Sequence, residues 1–156
     1  MGGKIRPLGW LVLPCRVVLG GLFVFAGVVK LQNPQLFQQS IAAFKTGLPE
    51  HLEILFTFAV PWTEVVAGAA LLLGLWARAS ALVLCGLLLG FIGLVVSVLL
   101  RPHLSVSCSC FGKFEIPCTG PVGTCHLARN GVMLALGLVV VLFGPGPLAI
   151  DRESTK

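Results

Sequence analysis

Four long apolar segments constrain this chain more than any other feature of its sequence. They run over residues 8–29, 55–76, 79–100 and 127–143, and the fourth is the shortest. A helix that rises 1.5 Å per residue needs about 20 residues to cross a bilayer. The alternating pattern of a membrane β-strand is missing from all four. The sequence therefore predicts an all-α membrane protein, a bundle of four transmembrane helices.

Composition supports the same class. Hydrophobic residues make up 56% of the chain and charged residues only 11%, against about 25% charged residues in a soluble domain. A soluble enzyme or a disordered chain is excluded on this ground. The net charge of +5 does not indicate a nucleic-acid partner, because the basic residues are scattered beside the apolar segments. We expect one membrane domain over residues 1–156, with the bilayer as its first partner.

The orientation of the bundle follows from its basic residues. Four crossings place both termini on one side, and the two sides carry five basic residues each: Lys4, Arg6, Arg78, Arg152 and Lys156 against Lys30, Lys45, Arg101, Lys113 and Arg129. Lys4 and Arg6 precede the first span, and Arg78 lies in a very short turn. We therefore expect cytoplasmic termini and a multi-pass protein of the inner (plasma) membrane.

A short amphipathic helix is predicted between the first two spans. Asn33 can cap its start, Pro34 suits its first position, and Gly47 with Pro49 ends it. The apolar face comprises Leu36, Phe37, Ile41 and Phe44, and the polar face comprises Gln35, Gln38, Gln39 and Lys45. Such a helix lies flat on the outer membrane surface or covers the bundle, and the sequence leaves both interpretations open.

Two ionisable residues lie inside the predicted spans, Arg16 in the first and Glu64 in the second. A lone ion in hydrocarbon costs at least about 2.5 kcal/mol, so we expect the two side chains to pair inside the bundle. The pair is either a structural clasp or part of a polar pocket for a proton or a quinone-like headgroup. In the second case Pro61 and Trp62 would line the pocket.

Four of the six cysteines fall in the loop over residues 101–126: Cys108, Cys110, Cys118 and Cys125. Outside the cytoplasm these thiols can form disulfides, and four cysteines allow three pairings. The loop could hold structural disulfides or perform thiol–disulfide exchange through Cys108 and Cys110, whose very small ring would be easily reduced.

Metal binding is a third interpretation of the loop, because His103 and His126 flank the cysteines, although the spacings are not those of zinc modules. We predict no metal site. Cys15 and Cys85 lie inside spans at equal depth, where they pack as small apolar residues or form a second redox pair.

Several short motifs carry a resemblance to a known family. They include the loop sequence Cys108-Ser109-Cys110-Phe111-Gly112 and the pair Arg129-Asn130. The helices add further matches at Arg16, Gly20, Gly21, Ala26, Gly27, Lys30, Leu31, Gln32, Asn33, Pro34, Phe37, Glu64, Gly68 and residues 71–74. Over residues 8–143 the chain resembles the MauE branch of the DoxX-like small membrane proteins. It departs from that family at Ser109, where glycine is usual, and in the segment from Cys118 to Cys125, which looks like an insertion.

The resemblance implies a four-helix inner-membrane protein that works with thioredoxin-like partners in disulfide formation. In methylamine utilisation such a protein supports maturation of a disulfide-rich periplasmic enzyme. Relatives in the wider group are associated with quinone reduction.

We therefore predict a membrane thiol–disulfide redox component, a possible oxidoreductase. Cys108 and Cys110 exchange with the partner, and electrons leave through Cys118 and Cys125 or a quinone bound near Arg16, Glu64 and Trp62. No cofactor is required, and a quinone is the optional one. An assembly or anchor subunit with inert disulfides, and a metal-handling protein, are the alternatives.

Overall fold

The computed structural model describes residues 7–44, 47, 49–101, 118, 121–144, 146 and 149–150. It contains five helices in this part of the chain: α1 (Pro7–Gln32), α2 (Pro34–Ala43), α3 (Glu50–Leu73), α4 (Ala77–Leu99) and α5 (Thr124–Phe143). Four of them, α1, α3, α4 and α5, are long and apolar enough to cross a membrane. The predicted all-α, four-span fold is confirmed.

Two helices begin three or more residues before the apolar segments that predicted them. α3 begins at Glu50, directly after the extended residue Pro49, and carries Glu50 and Glu53 in its first turn. Acidic residues in that position interact favourably with the positive end of the helix dipole. α5 likewise begins at Thr124. Hydropathy alone sets the start of each segment too late, because the first turns are polar.

The four long helices form an up-down-up-down bundle in which sequential helices are neighbours. α1 packs against α3 and α5, and α4 packs against the same two helices. We call the end that carries α2 and residues 121–123 the loop end, and the end that carries the turn at residues 74–76 the terminal end. The main core consists of Val12, Leu19, Phe23, Ala67, Leu71, Ala77, Ala81, Leu84, Leu88, Met133 and Val140.

Glycines bring α1 and α3 into backbone contact. A Cβ added at Gly20 would lie 2.9 Å from the carbonyl oxygen of Gly68, and one at Gly27 would lie 2.8 Å from that of Pro61. Such approaches between membrane helices need residues without side chains. The two contacts fix the register, with Gly20 opposite Gly68 and Gly27 opposite Pro61.

The turn between α3 and α4 is tight. Gly74 has φ +71°, and the N–H of Leu75 bonds the carbonyl of Ala70 at 2.9 Å, a pattern that ends many helices. Trp76 follows with φ +45° and is exposed, as is Trp10 at the same end of the bundle.

α2 covers the loop end of the bundle. Phe37 and Ser40 are buried, and Phe44, directly after the helix, is buried in a second apolar cluster, while Gln35 and Gln39 remain exposed. Pro34 occupies the first helical position as predicted, but Asn33 makes no side-chain cap bond. The helix is amphipathic, and its apolar face is used for packing on the bundle.

Candidate functional site

An ion pair lies in the bundle between α1 and α3. The Nζ atom of Lys30 donates hydrogen bonds to both carboxylate oxygens of Glu64, at 2.6 and 2.8 Å. Lys30 is 3% exposed and Glu64 is 1% exposed. A buried charge of this kind needs a partner, and each residue supplies it for the other.

The expected pairing of Arg16 with Glu64 is wrong. The register places Glu64 between the levels of Arg16 and Lys30 on α1, so distance alone does not choose between them. The direction of the side chains does, because a helical side chain leans toward the N-terminus of its own helix. In this antiparallel pair Lys30 and Glu64 lean toward each other, whereas Arg16 leans away from Glu64 toward the terminal end.

Arg16 instead lies at the C-terminal end of α3. It is buried, and a Cβ added at Gly74 would come within 2.7 Å of its Nη1 atom. Arg78 occupies the matching position at the end of α5, where a Cβ added at Gly144 would lie 3.2 Å from its Nη2 atom. Cations are favourable at helix C-termini because the helix dipole is negative there. Both arginines therefore have a structural position far from Glu64.

Aromatic rings enclose the Lys30 ammonium on two sides. Its Nζ atom lies 5.1 Å from the ring centroid of Phe37 in α2 and 5.0 Å from that of Phe91 in α4. A cation within about 6 Å of a ring face is attracted by the electrons of the ring. Four helices thus contribute to the surroundings of one buried cation.

A small cavity adjoins this ion pair. Its volume is about 30 Å³, and its walls consist of Leu22, Phe23, Ala26, Lys30, Glu64, Leu88, Phe91, Arg129, Asn130 and Met133. One end is polar and the remainder is apolar. Since a water molecule needs at least about 10–15 Å³ by this kind of measure, the cavity has room for one or two water molecules.

Trp62 does not line this cavity. It is 57% exposed on the surface of α3, whereas Pro61 is buried against α1. Each residue along a helix is rotated by about 100° from the one before, so Trp62 and Glu64, two residues apart, point to nearly opposite sides of α3. Because Glu64 faces the bundle interior, Trp62 faces away from it. Of the three residues expected to bind a cofactor, only Glu64 reaches the polar cavity.

Cys118 and Cys125 form a disulfide with a Cα–Cα distance of 5.9 Å. Cys125 lies in the first turn of α5 and is exposed, while Cys118 is 4% exposed. An incoming thiolate can therefore reach the sulfur of Cys125 more readily than that of Cys118. Cys108, Cys110 and His103 lie outside the described residues, so their predicted roles stay predictions.

The disulfide and the polar cavity share one helix. Arg129 and Asn130 follow Cys125 and His126 by four residues each, about 6 Å along α5. His126 is buried, and its Nδ1 atom accepts a hydrogen bond from the N–H of Gly123 at 3.4 Å. One helical turn thus separates the sulfur atoms from the polar end of the cavity.

The two cysteines inside the spans are free. Cys15 packs against the main core, and Cys85 is buried beside Gly137, where an added Cβ would lie 2.5 Å from its sulfur. The described residues contain no group of three or more His, Cys, Asp or Glu side chains that could hold a metal ion.

Sequence reasoning missed four residues of the site: Lys30, Phe37, Phe91 and Asn130. Lys30 had been counted as a loop charge because it stands near the end of its apolar segment. Two signals could have found it: the N-terminal lean of helical side chains, and the position of Lys30 directly before an amphipathic helix that can cover it.

Comparison with known proteins identifies the family of this chain. Residues 8–143 match the family described as methylamine utilisation protein MauE. The chain belongs to the MauE family. An uncharacterized membrane protein of Mycobacterium tuberculosis is 30% identical to it over 147 residues, which cover 93% of this chain and 82% of that protein. No solved structure gave a significant match. The predicted MauE membership is confirmed, and the matched range includes both the disulfide and the polar cavity.

Proposed function

We propose that this MauE-family protein is a membrane thiol–disulfide redox component. The observation that carries the proposal is the disulfide between Cys118 and Cys125, whose Cys125 is exposed at the start of a membrane helix. A disulfide at an accessible helix start can meet a partner thiol, whereas a fully buried one cannot. The methylamine-utilisation family supports the same proposal.

The exchange proceeds in two balanced steps. A partner thiolate attacks the sulfur of Cys125, the S–S bond breaks, and the Cys118 sulfur leaves as a thiolate that takes up a proton. The second thiol of the partner then loses its proton and attacks the mixed disulfide. The partner becomes oxidised to a disulfide, and Cys118 and Cys125 become reduced. In the reverse sequence the Cys118 and Cys125 thiols reduce the partner's disulfide and lose their protons as the bond between them forms again, with the same atoms and electrons.

The partner class in this proposal is a thioredoxin-like protein, and the final target is a disulfide-containing periplasmic enzyme. In a parallel route, Cys108 and Cys110 would exchange with the partner first and with Cys118 and Cys125 afterwards. A membrane quinone is a further acceptor that the proposal includes. It would have to widen the cavity beside Glu64, because about 30 Å³ holds only one or two water molecules.

We infer the orientation from the corrected charge count. Lys30 is buried in an ion pair, so it no longer counts as a loop residue. Four basic residues then remain on the loop side, against five on the side of the termini. The positive-inside rule accordingly favours cytoplasmic termini in an inner membrane, with the disulfide on the oxidising side. The motifs on α1 and α3 are the ground on which we also propose the wider DoxX-like relationship.

A second function is favoured by the burial of Cys118. A disulfide with one buried sulfur can serve as an inert staple in an assembly or anchor subunit. The two functions differ in whether the bond opens while the protein is folded.

Trapping with a thioredoxin-like protein tests the proposal. In Cys118→Ser the remaining Cys125 thiol is exposed and should hold the partner as a mixed disulfide. In a background where Cys108 and Cys110 are replaced by serine, the matched variant Cys125→Ser leaves the buried Cys118 as the only loop thiol and should trap at least tenfold less. No trapping by either variant would assign the disulfide to the staple function, and equal trapping by both would contradict Cys125 as the attacked sulfur.

A further inference from the structure

The polar cavity contains one feature that the ion pair does not explain. Asn130 is 5% exposed and lines the cavity. No hydrogen bond joins its side-chain amide to any residue of the described chain. Both amide atoms retain some accessible surface, and nearly buried polar groups of this kind commonly bind ordered water.

We propose that the cavity binds one or two water molecules, and that these waters make the Lys30–Glu64 pair a proton-exchange site inside the membrane. The inference does not depend on the proposed thiol chemistry. It rests on a cavity of about 30 Å³, the Asn130 amide and the geometry of the ion pair.

The cavity offers a water molecule enough partners. The Lys30 ammonium has three N–H groups and uses two bonds for the Glu64 carboxylate. The carboxylate oxygens retain lone pairs, and the Asn130 amide both donates and accepts. A buried water needs two to four such groups, and these three side chains supply them at the polar end.

A neutral carboxyl is the second state that proton exchange requires, and it must form beside two cations, which favour the carboxylate. The charged groups that face Glu64 are Lys30 on α1 and Arg129 on α5, while α4 and α2 contribute the rings of Phe91 and Phe37. A hydronium ion delivered through the cavity would give its proton to the carboxylate, leaving a carboxylic acid and a water molecule. Lys30 would keep its charge against the two rings.

Infrared spectroscopy of the whole protein in detergent or lipid tests this inference. Lowering the pH should produce a carboxylic-acid C=O band that disappears in Glu64→Gln and reverses when the pH is raised. After transfer to D2O this band should shift with the exchange of its proton. In Asn130→Leu, which replaces the amide by an apolar side chain of the same shape and leaves the water without that partner, we expect that shift to slow at least tenfold.

Two further variants separate the site from general effects. Asn33→Leu makes the same change at an exposed position of the loop end and should exchange like the unmodified protein. Asn130→Ser keeps a water-binding hydroxyl and should also exchange normally, which retains a test if Asn130→Leu fails to fold. Absence of a Glu64 band at every pH where the helices stay folded, or equal exchange in Asn130→Leu and the unmodified protein, would overturn the proposal.

Discussion

Lys30 of α1 holds both carboxylate oxygens of Glu64 of α3, at 2.6 and 2.8 Å, in the apolar interior of the bundle. The contact joins residues 34 positions apart in the chain. Because both charges are buried, each is tolerable only while the other is present.

Removing one charge should therefore cost more than removing both. We expect Lys30→Met or Glu64→Gln alone to lower the free energy of unfolding by about 3–5 kcal/mol, because each leaves a buried polar group without its ion partner. The double variant should recover part of that loss. Unfolding in mixed detergent micelles measures the difference, with Arg16→Met plus Glu64→Gln as the control pair. Additive losses for Lys30 and Glu64 would contradict the contact.

Replacing a glycine that sets the register between α1 and α3 by alanine should destabilise the protein, because there is no room for even a methyl group. Gly27→Ala would place its Cβ 2.7 Å from a methyl of Val65 and 2.8 Å from the Pro61 oxygen. We expect a loss of about 1–3 kcal/mol from overpacking. Gly21→Ala is the matched control, because nothing lies within 4 Å of its added Cβ. A Gly27→Ala protein as stable as Gly21→Ala would show that the two helices are farther apart.

How much of this structure the sequence predicts depends on whether a feature is local or needs the register between α1 and α3. Apolar segments predict the four spans, and Pro34 predicts where α2 begins, because hydropathy and proline geometry act locally. Arg16 and Lys30 are both cations on α1, and the alignment of Gly20 with Gly68, together with the direction of the side chains, decides which one meets Glu64. That alignment is a packing property of two helices, so no local pattern contains it.

The loop shows the same limit. The sequence offers four cysteines and three pairings, and it cannot choose among them. Predicting the bond between Cys118 and Cys125 requires knowing where α5 begins. That start lies in a polar turn, which hydropathy assigns to the loop.

The disulfide should hold α2 in place through one apolar contact. Val122, inside the ring that the disulfide closes, packs in a cluster with Phe44, Val95 and Val98. Replacing Cys118 and Cys125 by serine should speed backbone hydrogen exchange in α2. Removing a disulfide of this kind typically costs about 2–4 kcal/mol.

Phe44→Ala should speed exchange in α2 as well, since it removes the other side of that contact. Phe58→Ala, at an exposed position of α3, is its control and should leave α2 unchanged. If loss of the disulfide raises hydrogen exchange equally along α1, α3 and α4, the loop closed by the disulfide stabilises the whole bundle and has no particular link to α2.

Orientation can be measured with single cysteines. We expect Pro121→Cys, exposed at the loop end, to react with a membrane-impermeant thiol reagent in intact cells. Arg78→Cys, exposed at the terminal end, should react only after the cells are opened. The background keeps the bonded pair and replaces Cys15, Cys85, Cys108 and Cys110 by serine. The reverse labelling pattern would place the disulfide in the reducing compartment and remove the basis for a lasting bond.

Graded reduction of the folded protein tests the central claim most directly. The protein is equilibrated in thiol–disulfide buffers of increasing reducing strength, alkylated, and mapped by peptide mass, while circular dichroism follows its helices. The redox account predicts that the bond between Cys118 and Cys125 opens reversibly while the helices stay folded, and that a thioredoxin-like dithiol opens it faster than a small thiol. A bond that stays closed until the helices unfold would contradict the account and leave the disulfide as a structural staple.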